Sequence, residues 1–120
     1  MIRMENHLGL IEVSQDYFNE IIGNAVTSCY GVSGMANTNA RQGLRSVLRK
    51  RQYVDQGVRV YKDGGGLMVD LHILVTYGLN ISAIVRSIVN KVRYTVEDAT
   101  GLEVRKVNVF VDGMLSREDG

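Results

Sequence analysis

Three observations on this 120-residue sequence predict an α+β fold, a two-layer sandwich with two main helices packed on one face of a mainly antiparallel sheet. Two segments carry apolar residues at helical spacing, and most of the remaining chain alternates apolar with polar residues as strands do. Glycine occurs thirteen times and proline not at all, so glycine alone marks the changes of period. The expected order is β, α, short α, β, β, α, β.

Gly9 to Val13 reads as a short opening strand. Ser14 follows as a helix N-cap, with Asp16 placed to favour the positive helix end. Phe18, Ile21, Ile22, Ala25, Val26 and Cys29 then form one apolar stripe, and Gly31 is expected to end the helix. The stretch Gly31-Val32-Ser33-Gly34 reads as a turn. Beyond an Ala-Asn-Thr-Asn-Ala connector, Leu44, Val47 and Leu48 share one side of a short second helix. From Gly57 the period becomes two: Val58 and Val60 alternate with Arg59 and Tyr61, and Asp63-Gly64-Gly65-Gly66 turns the chain into a long strand. There Leu67, Val69, Leu71, Ile73, Val75 and Tyr77 face one way, and Met68, Asp70, His72, Leu74 and Thr76 the other.

Gly78 breaks that strand and Asn80 caps the longest helix, whose stripe is Ile81, Ile84, Val85, Ile88, Val92, Val96 and Ala99. Thr100-Gly101 ends it. The last strand runs through Val104, Val107, Val109 and Val111, and the slip of alternation at Arg105-Lys106 predicts a bulge or a late start. One domain is expected, with its core in about residues 8–114 and a polar tail at 115–120.

Hydrophobic residues make up 45% and charged residues 22%, the balance of a folded globular chain. A net charge of +1 exerts no overall pull towards nucleic acid or anionic membrane. The single cysteine excludes an internal disulfide framework and leaves no cluster for structural zinc. Arg3, Glu5, Asn6 and His7 interrupt the apolar stretch that a secretory leader needs, and no segment reaches membrane-spanning length, so a cytoplasmic location is expected.

The candidates for chemistry are sparse. Cys29 lies on an apolar stripe near a helix C-terminus, where the dipole disfavours a thiolate, and reads as a packing thiol. His72 and Asp70 share a strand face, but no serine, second histidine or second carboxylate joins them at a recognisable spacing. Gly64-Gly65-Gly66 lacks the lysine and hydroxyl of a phosphate loop. No catalytic residue, cofactor or metal site is expected, and the chain reads as a binding or assembly protein and not an enzyme. The alternative is an RNA-binding module of the KH type that uses Gly31 to Gly34, a GxxG between two expected helices, together with the basic face of residues 41–62.

Charge is segregated more sharply than anything else. Between Arg41 and Lys62 stand seven basic residues, Arg41, Arg45, Arg49, Lys50, Arg51, Arg59 and Lys62, against Asp55 alone. The rest of the chain carries seven basic and twelve acidic residues. Arg41, Arg45 and Arg49 recur at one-turn spacing and would align on a helix face, a surface suited to an acidic protein patch, a lipid headgroup or a phosphate backbone.

Taken in order, several motifs are similar to those of a known family. Gly9-Leu-Ile-Glu-Val-Ser14 before a helix, Tyr30-Gly-Val-Ser-Gly-Met35, Gly57-Val-Arg-Val60, Val69-Asp-Leu-His-Ile-Leu-Val-Thr-Tyr-Gly78 with Asn80-Ile81, and Thr100-Gly-Leu-Glu-Val104 with Val107-Asn-Val-Phe-Val111 together resemble the alkaline shock protein family of bacteria. The resemblance spans about residues 8–114 and looks like a minimal member without the long charged extensions of some relatives. It implies a role in alkaline and cell-envelope stress, chiefly in Gram-positive bacteria, with self-association and attachment near the membrane through a protein partner. It implies no enzymatic activity and brings no catalytic residue. A protein partner docking on the Arg41 to Lys62 face is the resulting expectation.

Overall fold

The long alternating stretch becomes the central strand of the sheet. In a computed structural model, which describes residues 2–36 and 57–115, the elements are β1 (Ile2–Asn6), β2 (Gly9–Val13), α1 (Gln15–Thr27), β3 (Val32–Met35), β4 (Val58–Asp63), β5 (Gly66–Thr76), α2 (Ile81–Thr100) and β6 (Val104–Leu115). This is the α+β sandwich that the periodicities predict. The expected short helix around Leu44 to Leu48 lies outside the described residues.

Strand β5 is paired on both edges. Along one runs β6, parallel to it from Leu67↔Val104 to Thr76↔Leu115. Along the other lie two antiparallel strands end to end, β4 from Asp63↔Gly66 to Val58↔Leu71 and β3 from Met35↔Ile73 to Val32↔Val75. The parallel pairing follows from the length of α2: twenty helical residues rise about 30 Å, which returns the chain to the start of β5 before β6 begins. The expected bulge is present, since Leu67 and Met68 pair with Val104 and Lys106 and leave Arg105 as the extra residue.

Both helices cover one face. Phe18, Ile22 and Val26 of α1 and Ile88, Val92 and Val96 of α2 are fully buried against Val69, Leu71 and Ile73. The helices pack on each other, α1 above β3 and β4 and α2 above β6. Ser14 Oγ accepts from the Tyr17 amide at 3.1 Å and Asn80 Oδ1 from that of Ala83 at 3.1 Å, so both expected N-caps form. Gly101 closes α2 in the left-handed conformation, φ 75°, its amide donating to Glu97 O at 2.8 Å.

Several expectations need correction. Residues 2–6 form a strand that pairs with the opening strand β2 in a separate two-stranded sheet, and Ile2 is buried in the core, which therefore begins ahead of residue 8. Helix α1 stops at Thr27 with Ser28 as its C-cap, so Cys29 sits just past the helix. Gly31 to Gly34 is no turn: from Val32 onward it belongs to β3. Tyr77 lies beyond β5 and is 68% exposed, and Ala99 is also exposed because the stripe of α2 has rotated away from the sheet by its last turn.

Replacing Ile88 by alanine should cost about 2–5 kcal/mol, because the cavity opens between α2 and the buried row of β5. Tyr94→Ala, at a position 70% exposed on the same helix, should stay within about 0.5 kcal/mol. Urea unfolding of both variants checks the assignment of the buried face.

Candidate functional site

Because the helices cover only one side of the sheet, the even-numbered residues of β5 face away from them. Cross-strand register places Arg59 opposite Asp70 and Tyr61 opposite Met68 on β4, and Asn108 opposite Asp70 and Phe110 opposite His72 on β6. The helix-free face is thus a half-buried surface of Tyr61, Met68, Leu74 and Phe110 interleaved with Asp70, His72, Asn108 and Asp112. Its polar groups are already engaged with one another. Asn108 Nδ2 donates to Asp70 Oδ1 at 2.9 Å, Ser33 and Thr76 share a hydroxyl hydrogen bond at 3.1 Å, and the Arg59 guanidinium lies 5.2 Å from the centre of the Tyr61 ring.

The centre of this face is His72. Its ring stacks on Phe110 at 4.7 Å between centroids and 15° between planes, and its Nδ1 lies 3.0 Å from Asp112 Oδ2. Asp112 is the extra residue of a second bulge, where Ile73 and Leu74 pair with Val111 and Gly113. That irregularity aims its carboxylate across the strand at the histidine. The partner of His72 is therefore Asp112, while Asp70 is bound to Asn108; the expected His72 and Asp70 pair does not form. A histidine and a carboxylate in contact are two parts of a nucleophilic triad, but the Thr76 hydroxyl is four residues further along β5, about 13 Å away, and bound to Ser33. The pair lies on an open sheet face, about a third of each side chain being exposed. The described residues build no enclosure around it of the kind that catalysis would need.

The backbone of His72 has its own role. Its amide donates to Gly57 O at 2.8 Å and its carbonyl accepts from the Ala36 amide at 2.8 Å, so β3 leaves the sheet and β4 enters it at one residue. The close approach requires glycine: Gly57 has φ +90°, and a Cβ there would stand 2.7 Å from both Ala36 O and His72 O.

Of the basic run, Arg41, Arg45, Arg49, Lys50 and Arg51 lie outside the described residues. Arg59 and Lys62 lie on opposite sides of β4. Arg59 shares the helix-free face with Tyr61, whereas Lys62 turns towards the N-terminal hairpin and donates from Nζ to Arg3 O at 2.9 Å. The GxxG stretch is also placed: Gly31 O accepts from the Thr76 amide at 2.9 Å and Gly34 lies within β3, so it is not presented as a free loop. Cys29 is half-buried, its thiol directed to Ala25 O at 3.5 Å, as a packing residue would be.

Two further features have no counterpart in the sequence reading. The hairpin of β1 and β2 exposes Leu8, Leu10 and Ile11 and is braced by an ion pair of Arg3 with Glu12 at 2.9 Å. Beneath it lies a cleft of about 250 Å³ lined by Met4, Glu5, Lys62, Gly64 to Gly66, Leu67 and Leu102. Among the described residues, no group of three His, Cys, Asp or Glu side chains could hold a metal ion, and no helix is long and apolar enough to cross a membrane.

Nearly the whole described fold falls within one family match. The family described as that of alkaline shock protein 23, cell envelope-related function, which is the alkaline shock family that the motifs resemble, matches residues 3–116. The uncharacterized protein YloU of Bacillus subtilis is 36% identical over 114 residues, covering 94% of each chain. The uncharacterized protein Spy1614 of Streptococcus pyogenes serotype M6 is 33% identical over 114 residues, 94% of this chain and 93% of that one. At 26% identity, the uncharacterized protein YqhY of Bacillus subtilis aligns over 110 residues, 92% of this chain and 80% of its own length. No solved structure matches.

The junction at His72 can be probed through its glycine. Gly57→Ala should destabilise the chain by about 1–3 kcal/mol, from the positive φ and the crowded carbonyls together. Gly65→Ala, where a Cβ meets nothing within 4 Å, should be close to neutral. Chemical denaturation compares the two.

Proposed function

The chain belongs to the alkaline shock protein family, whose described function is cell envelope-related, and we propose that within it the chain is a non-enzymatic binding and assembly module that docks a protein partner on the helix-free face of its sheet. The observation that carries this reading is the asymmetry of the sandwich. One face of β5 is sealed under two helices, while the other presents apolar side chains and paired polar groups across an open surface. A broad surface with an aromatic residue at its centre suits a protein partner better than a small molecule.

Charge gives the partner its sign. Arg59 lies on that face, and in sequence Arg41, Arg45, Arg49, Lys50 and Arg51 stand in the same basic run. The Arg59 guanidinium on that face, with the basic balance of the sequence from Arg41 to Lys62, favours an acidic patch on the partner. The reading places the module in the cytoplasm and near the envelope, held there by that partner. The absence of a spanning helix among the described residues is compatible with this location.

Affinity capture of the tagged chain from lysate of its own cells, with and without nuclease, tests the proposal. A defined protein should be recovered in both conditions. Phe110→Ser combined with Arg59→Glu should abolish recovery, as should joint replacement of Arg41, Arg45 and Arg49 by glutamate, with circular dichroism unchanged. Undiminished capture by these variants would refute the surface assignment, and recovery that disappears with nuclease would favour a nucleic-acid partner.

A further inference from the structure

The geometry points to the outer edge of β6 as the seat of a second copy of this chain, joined antiparallel about a two-fold axis near Val109. This deepens the assembly reading above and rests on it. Strand β6 runs for twelve residues, about 40 Å, and β5 is its only strand partner among the described residues. A long edge of free amides and carbonyls is a template for another strand unless proline, a cover or a short length blunts it. The chain has no proline. The two bulges, at Arg105 and Asp112, bracket a regular stretch from Lys106 to Val111.

Parity and charge select the occupant and its register. In an antiparallel pair, opposed residues point to the same face, so a strand meeting its own copy pairs residues of equal parity. Centred on Val109, the pairing sets Val107 against the partner's Val111 and Asn108 against the partner's Phe110. It also sets Lys106 against the partner's Asp112, once on each side of the axis. The basic start and acidic end of β6 thus neutralise each other only when a second β6 runs the opposite way. Centred on Asn108, the same strands would set Lys106 against the partner's Phe110 and Asp112 against the partner's Val104, so that neither charge meets its opposite across the axis. A parallel pair would send the helix layers to opposite faces of the joined sheet.

Burial agrees with this arrangement. Val69, Leu71 and Ile73 of β5 are fully buried, whereas their register partners Val107, Val109 and Val111 on β6 are only partly buried against the core. On the opposite face Phe110, 45% exposed, would lie diagonally across the axis from the partner's Phe110, within reach of an aromatic contact. A second copy covers both sets at once.

Sedimentation of the purified full chain across the micromolar range tests the inference. The parent should dimerise, and Lys106→Asp or Asp112→Lys alone, each creating two like-charge oppositions, should weaken the dimer roughly tenfold. The double variant should recover most of the loss, because exchanging the charges restores both pairs. As a check that needs no substitution, amide exchange over residues 106–111 should slow as concentration passes the sedimentation midpoint. A parent that stays monomeric, a dimer indifferent to the single reversals, a double variant that fails to recover, or concentration-independent exchange each overturns the inference. Partner capture, measured separately, fails only if the binding reading itself is wrong.

Discussion

Strand β5 is hydrogen-bonded along both edges, to β6 on one side and to β4 and β3 on the other, while Leu67, Val69, Leu71, Ile73 and Val75 are buried beneath the helices. The other elements take their positions from these two requirements. Helices α1 and α2 lie where the apolar row must be covered. The break between β3 and β4 falls where one backbone residue serves both, and the glycine at that point answers the crowding it produces. Burial of one row also defines the surface left over, since residues alternating with it have no helix to meet.

That leftover surface has a character of its own. Hydrogen bonds among Asp70, Asn108, His72, Asp112, Ser33 and Thr76 satisfy its polar groups locally. A partner docking there would not have to satisfy each of them afresh, and would gain mainly from covering Phe110, Tyr61, Met68 and Leu74. Among the described residues, nothing on this face activates a nucleophile or encloses a substrate. The His72 and Asp112 contact ties β5 to β6, and the Phe110 ring lies flat on the imidazole.

The legible parts of the sequence are those whose burial leaves a periodic trace. The stripes of α1 and α2, the alternation in β5, both N-caps and the bulge at Arg105 can be read because each depends on residues close together in the chain. Strand β3 cannot, because Gly31, Ser33 and Gly34 carry the composition of a turn and only the edge of β5 makes a strand of them. Strand β1 has a faint signal in Ile2 and Met4 alternating with Arg3 and Glu5, too short to outweigh its polar residues. The partner of His72 is hidden for a different reason. Asp112 arrives through a parallel register and a bulge, whereas Asp70 is simply near in sequence. The five basic residues from Arg41 to Arg51 remain a reading of composition.

The split between local and distant pairing has a consequence for how the chain acquires its structure. The β4 and β5 hairpin closes over Gly64 and Gly65, a loop that forms early, whereas β6 reaches β5 only after the whole of α2 has been laid down. Until then the most apolar strand has a bare edge, and an incomplete chain can satisfy it with the wrong neighbour. During synthesis, β5 therefore has to wait for a strand roughly forty residues downstream, a long interval on the timescale of local collapse. The nascent chain is most vulnerable at the strand that, once folded, is its best protected.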